Sequence, residues 1–117
     1  MENNSLDCIF CKIIKKEIPA KVEYEDDSVI VIHDISPKAP VHLLFIPKKH
    51  IISLIQVNED DRNLLGDIML RIKTVAEKIG LSKKGYRIVA NNGKGSGQIV
   101  FHLHFHLLSG MKREVFF

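Results

Sequence analysis

Residues 99–108 read Ile99-Val100-Phe101-His102-Leu103-His104-Phe105-His106-Leu107-Leu108. Successive side chains of a strand point to opposite faces. His102, His104 and His106 therefore fall on one face, and Leu103, Phe105 and Leu107 on the other. The apolar set suits packing beneath a helix. The imidazoles then line the opposite face, where burial without partners is costly; polar residues on a solvated strand face are the plainer alternative. At about 3.3 Å per residue, His102 and His106 lie roughly 13 Å apart, too far for one metal ion to take the whole run. Adjacent members can share an ion, so the three histidines have different jobs. With an ordinary pKa of about 6.5, a histidine is largely neutral at cellular pH, and one nitrogen can attack while a hydrogen bond orients the other. Attack on phosphorus gives a phosphoramidate bond that water can cleave. Neighbouring imidazoles can donate to the phosphate or protonate a leaving group.

Upstream, Asn91-Asn92-Gly93-Lys94-Gly95-Ser96-Gly97-Gln98 is a loop whose glycines allow backbone N–H groups to turn toward an anion, with Asn91 and Gln98 as side-chain donors. A plain hairpin connection has a similar composition. Before it, Tyr86 to Ala90 reads as a strand. Leu64, Leu65, Ile68, Met69, Ile72, Val75, Ala76 and Ile79 recur at helical spacing, with Asn58 as N-cap and Gly80 past the end. Val41 to Ile46, Val29 to His33 and Val22 to Glu25 read as strands, the last two joined by an Asp26-Asp27-Ser28 turn. Asp34 to Pro40 is a loop with two prolines. Asp7 is placed to cap a short helix from Cys8 to about Lys16, stopped by Pro19. The order α-β-β-β-α-β-β, with hairpin-like joins, predicts an α+β fold on a mostly antiparallel five-stranded sheet, with one long and one short helix.

The 117 residues suit one domain, with tails at 1–6 and 110–117. At 45% hydrophobic and 26% charged, the composition is that of a soluble globular protein and not of disorder. No apolar run reaches the roughly 18 residues of a membrane span, and the polar start, Met1-Glu2-Asn3-Asn4-Ser5, lacks a signal-peptide layout, so a cytoplasmic location is expected. The net charge of +3 comes from scattered lysine pairs, which argues against a specific nucleic-acid partner. Two cysteines, Cys8 and Cys11, stand in a C-x-x-C spacing. Metal binding, redox chemistry and two buried thiols are the open readings. No strand precedes the pair as in a thioredoxin-like βαβ unit.

His102-Leu103-His104-Phe105-His106-Leu107-Leu108 resembles the histidine triad pattern, H-φ-H-φ-H-φ-φ with φ apolar. Ile9-Phe10-Cys11-Lys12-Ile13-Ile14, Asp34-Ile35-Ser36-Pro37 and Ile46-Pro47-Lys48-Lys49-His50-Ile51 are similar to the purine nucleoside phosphoramidase branch of that family. The resemblance implies a homodimer whose two five-stranded sheets join into one of ten strands. It implies hydrolysis of nucleoside 5′-phosphoramidates to nucleoside monophosphate and amine, with no catalytic metal or organic cofactor. It makes His104 the nucleophile, carrying a nucleotidyl intermediate, and His106 the group that binds phosphate and assists departure. Asn91, Gly97 and Gln98 would hold the phosphate of a purine nucleotide and Asp34 the ribose. Ile9, Phe10 and Ile35 would flank the base, and His42 would support the site. As in some relatives, Cys8, Cys11, His50 and His102 would form a structural zinc site.

Two departures bear on specificity. Ile99 stands where this branch has a hydroxyl residue, and the tail Met111 to Phe117 lacks a tryptophan found in some relatives. A dinucleoside polyphosphate hydrolase sharing the nucleophile, and a zinc-stabilised nucleotide-binding or interaction module with negligible turnover, are the alternatives to the phosphoramidase.

Overall fold

The computed structural model describes residues 7–111; the expected N-terminal tail, and the C-terminal tail beyond Met111, lie outside the described residues. Five strands, β1 (Val22–Glu25), β2 (Val29–His33), β3 (Val41–Pro47), β4 (Arg87–Val89) and β5 (Phe105–Ser109), form one sheet in the order β1-β2-β3-β5-β4. Every neighbouring pair is antiparallel, as the element order predicts.

β2 and β3 carry near-continuous apolar runs because both their faces are covered. Val29, Val31, Leu43 and Phe45 face the long helix α2 (Arg62–Lys78), packing with its Ile68, Ile72, Val75 and Ala76 and with Leu103, Phe105 and Leu107. Ile30, Ile32, Leu44 and Ile46 face the short helix α1 (Ile9–Ile14), packing with Phe10, Cys11 and Ile13. The alternation read from 103, 105 and 107 therefore places those residues on the α2 side. Met69, by contrast, is exposed, so the buried stripe of α2 is narrower than its apolar periodicity.

Besides shifts of one or two residues at the ends of α1, β3 and β4, element ends differ from the expectations in three places. Cys8, not Asp7, caps α1, its Sγ accepting from the Cys11 N–H. Asn58 caps a 3-10 turn, Glu59–Asp61, that runs into α2, and Asp61 completes a capping box with it. The last strand begins at Phe105, not near Ile99, because the Leu103 N–H is spent on the Ile51 carbonyl at 2.6 Å. Residues 102–104 are thus tied to the segment after β3 before the chain enters the sheet.

The β1–β2 turn is fastened to α2 by one carboxylate. Asp26 Oδ1 accepts from the backbone N–H groups of Ser28 and Val29, and Oδ2 accepts from Tyr24 Oη and Arg71 Nε. Burial pushes the Asp26 carboxyl up, but the bonds from Arg71, Tyr24, Ser28 and Val29 outweigh it and hold the group well below the usual range. The unfolded chain then binds the proton more readily. The stabilisation is present above the unfolded-state pKa of about 3.9 and is lost as the pH falls toward the folded value. Asp26→Ala is expected to cost about 1.5–3 kcal/mol in urea unfolding near neutral pH, the range for hydrogen bonds to a charged group. The cost should shrink on acidification, and an undiminished difference in acid would refute the assignment.

Candidate active site

The β3–β5 register sets the site. Leu44 pairs with His106 and His42 with Leu108, so His42 and His106 are diagonal neighbours on the α1 face. His42 Nε2 and His106 Nδ1 are 2.9 Å apart, and Asp34 Oδ2 is 3.5 Å from the same His42 nitrogen. The ring centroids of His104 and His106 are 5.0 Å apart, and Phe10 of α1 meets His104 edge-on, also at 5.0 Å.

Fixed donors and acceptors settle the tautomers. The His102 carbonyl can only accept, so His104 Nδ1 at 2.7 Å donates to it and the lone pair of His104 sits on Nε2. The Lys38 backbone N–H donates to His42 Nδ1 at 3.0 Å. The proton of His42 is therefore on Nε2 and is given to His106 Nδ1, leaving the His106 proton on Nε2. Two adjacent rings thus offer opposite functions, a bare nitrogen on His104 and an N–H on His106.

Burial is the main reason these rings stay neutral. It lowers the pKa of His104 against the opposing pull of the His102 carbonyl and Asp34, and lowers that of His42 against Asp34. His106 falls to about 4, through burial and then through neighbouring His104 and His42. Asp34, His42 and His106 lie close enough together to suggest a metal. The hydrogen bonds oppose that, since a cation on His42 Nε2 would need a ring without a proton while Nδ1 still accepts from Lys38.

Beside these rings is a cavity of about 530 Å³. His104 and His106 line it, as do Ile9 and Phe10 from α1 and Asp34 and Ile35 from the β2–β3 loop. Asn91, Gly97 and Gln98 line it from the 91–98 loop. His42 is not among the lining residues and meets the cavity through three that are, His106, Asp34 and Lys38. Gln98 lies on the wall, but its amide serves the loop: Oε1 accepts from the Gly93 N–H, and Nε2 donates to the carbonyls of Ile52 and Val100. Gly97 adopts φ of 91°, a left-handed conformation suited to glycine, at the end of the Lys94–Ser96 3-10 turn.

The cavity also has walls that no motif reading picked out. Ile32, Leu44 and Val100 extend the α1-side alternation and follow from it, and Ile13 lies one helical turn along α1 from Ile9. His33 and Lys38 carry no local signal beyond flanking Asp34 and Pro37. Ile99 stands on the rim, 85% exposed.

A second cluster adjoins the first. Cys8 Sγ and Cys11 Sγ lie 3.3 and 3.6 Å from His102 Nδ1; His50 Nδ1 is 3.3 Å from Cys11 Sγ and 3.2 Å from His102 Nδ1. His102 Nε2 donates to the Pro47 carbonyl at 2.7 Å, which leaves Nδ1 bare for a ligand. A tetrahedral zinc with Zn–S of about 2.3 Å and Zn–N of about 2.0–2.1 Å has S···N edges near about 3.5 Å and an N···N edge near about 3.3 Å. The four donors match those edges and can hold a metal. Burial, and then Cys8, push the Cys11 thiol up to about 11, so in the absence of a cation it stays protonated.

Comparison with known proteins identifies the family and the fold. The family model for scavenger mRNA decapping enzyme C-terminal binding matches residues 7–116. A HIT-like protein of Synechococcus elongatus is 48% identical over 106 residues, covering 91% of this chain and 92% of that protein. The crystal structure of a HIT family hydrolase from Legionella pneumophila Philadelphia 1 is 51% identical with a TM-score of 0.87, covering 90% of this chain and 94% of the other. A HIT family hydrolase from Clostridium thermocellum is 50% identical with a TM-score of 0.88, covering 92% and 93%. The fold and the paired histidines define an antiparallel α+β protein with an imidazole-lined cavity. The chain belongs to the histidine triad (HIT) family.

The tautomers are directly measurable. Nitrogen-detected NMR of the imidazoles near neutral pH is expected to show His104 protonated at Nδ1, and His42 and His106 protonated at Nε2. The reverse tautomer at His104 would remove the lone pair from the cavity and sink this description of the site.

Proposed function

We propose that the chain hydrolyses purine nucleoside 5′-phosphoramidates to nucleoside monophosphate and amine. The observation that carries the reading is the pairing of a bare His104 Nε2 with a protonated His106 Nε2 beside one cavity. The description of the Legionella and Clostridium relatives as hydrolases supports it, as does the resemblance of residues 9–14, 34–37 and 46–51 to the phosphoramidase branch. His104 Nε2 attacks phosphorus, the P–N bond breaks, and the departing nitrogen takes a proton through His106. That proton comes from the His42–His106 pair, and the imidazolium charge that forms on nucleotidyl-His104 offsets the negative charge the pair is left with until water restores the proton. Water then attacks the nucleotidyl-histidine; the Nε2–P bond breaks and the water's proton returns to the pair.

Ile9, Phe10 and Ile35 supply apolar surface for the base, Asp34 accepts from the ribose, and Asn91 and Gly97 hold the phosphate. Gln98 contributes by bracing that loop. Ile99 replaces a hydroxyl at the rim, so the departing group meets apolar surface there. His104→Ala is expected to lower turnover of an adenosine phosphoramidate by roughly a thousand-fold or more while still binding adenosine monophosphate. Rapid quenching of the wild type should trap the adduct on His104. Undiminished turnover by His104→Ala would end the reading.

Cys8, Cys11, His50 and His102 are proposed to hold a structural zinc, closed to substrate. A homodimer is proposed to form at the β4 edge of the sheet, where Ile88 and Tyr86 are exposed. Native mass spectrometry of protein purified without chelator should report both, as a dimer carrying about two zinc ions. Cys8→Ser should lose metal and melt lower by roughly 5 °C or more. A metal-free monomer of unchanged stability would refute the pair of assignments.

A further inference from the structure

The charges around the cavity are unevenly partnered. Among the described lining residues, Lys38 is the one lysine or arginine and Asp34 the one carboxylate. Asp34 is already engaged: Oδ1 accepts from the Ser36 N–H at 2.7 Å, and Oδ2 lies 3.5 Å from His42 Nε2. Lys38 Nζ donates to the Ser36 carbonyl at 3.1 Å, a neutral partner, and among the described residues no carboxylate pairs with it. Its ammonium is therefore the one lysine or arginine charge that the described lining offers an anion, and no carboxylate neutralises it.

Its position decides which anion. The Lys38 backbone is bonded to His42 at 3.0 Å, and His42 to His106 at 2.9 Å, so Lys38 belongs to the His106 flank. His104 leans the other way, onto Phe10 of α1. The Lys38 charge also helps keep His42 and His106 below the ordinary imidazole value. In an in-line displacement the group that leaves lies opposite the nucleophile, here on the flank away from His104. We propose that Lys38 is a specificity-determining residue that favours nucleoside phosphoramidates whose departing amine carries a negative charge. The inference rests on the hydrolase reading given above for the identity of the reaction. The same nucleotide half is present in every such substrate, so the preference appears only in comparison of leaving groups.

The test compares adenosine phosphoramidates of β-alanine, with a free carboxylate, and of β-alanine amide, its neutral analogue of nearly the same shape. The ratio of kcat/KM for the two is measured with wild type, Lys38→Gln and Lys38→Glu. A solvent-exposed ion pair corresponds to a change of about 1.5- to 5-fold. Lys38→Gln should lower the anionic-to-neutral ratio by about that factor and Lys38→Glu by more, and salt at about 1 M should move wild type toward Lys38→Gln. A ratio unchanged in both variants overturns the proposal. Calorimetric binding of the same compounds to His104→Ala, with and without Lys38→Gln, reads the charge preference with no chemistry. If wild type hydrolyses neither compound but this binding ratio falls with Lys38→Gln, Lys38 stands and the phosphoramidase reading falls. A flat binding ratio, or no binding of either compound, overturns the assignment of Lys38.

Discussion

A sheet face that buries imidazoles must give a partner to each ring nitrogen it takes out of solvent, and most of the α1 side follows from that constraint. Backbone atoms meet it first. The carbonyls of Pro47 and His102 take the N–H groups of His102 and His104, and the Lys38 amide fills the lone pair of His42. Each of these bonds costs the ring its freedom to rotate and fixes which nitrogen is bare. An unpaired ring at this depth would cost about 1–3 kcal/mol, enough to select strongly for one arrangement. The main chain thereby decides which nitrogen stays bare: Nδ1 on His102, facing the cysteines, and Nε2 on His104, while His106 keeps its proton on Nε2.

The opposite face obeys a simpler rule. α2 lies over Val29, Val31, Leu43, Phe45 and the apolar members of the triad segment, with no polar group of the site among them. That face supplies the burial that holds β3 against β5, and the β3–β5 register in turn sets His42 diagonal to His106. Packing on one side of the sheet therefore determines geometry on the other.

Much of this was legible in the sequence, for reasons tied to particular residues. The period of α2 and the alternation through 103–107 report burial directly, so the sheet, the long helix and the sidedness of the histidines could be read from them. The C-x-x-C spacing joins Cys8 to Cys11, but His50 and His102 are far from that pair in the chain and only the resemblance links them to it. What stayed hidden depends on distant backbone atoms. Nothing near Leu103 announces that its N–H will bond Ile51 and postpone β5 to Phe105. Nothing near Gln98 announces that its amide is spent on Gly93, Ile52 and Val100. Lys38 looked like one of many surface lysines, because its meaning lies in the company of Asp34, Ser36 and His42.

The late start of β5 has a consequence for how the segment tolerates changes in length. Residues 102–104 are anchored to the chain after β3, and residues 105–109 are anchored to the ladder, so the histidine run spans two independent attachments. Deleting or inserting a single residue between His102 and His106 would turn every following side chain to the other face of the sheet. Imidazoles would then be driven into the layer beneath α2 and leucines into the cavity. The 91–98 loop, with exposed positions through Lys94, Gly95 and Ser96, carries no such parity. Geometry therefore tolerates a change of length in that loop and its like, while the five-residue histidine segment can only be kept or lost as a whole.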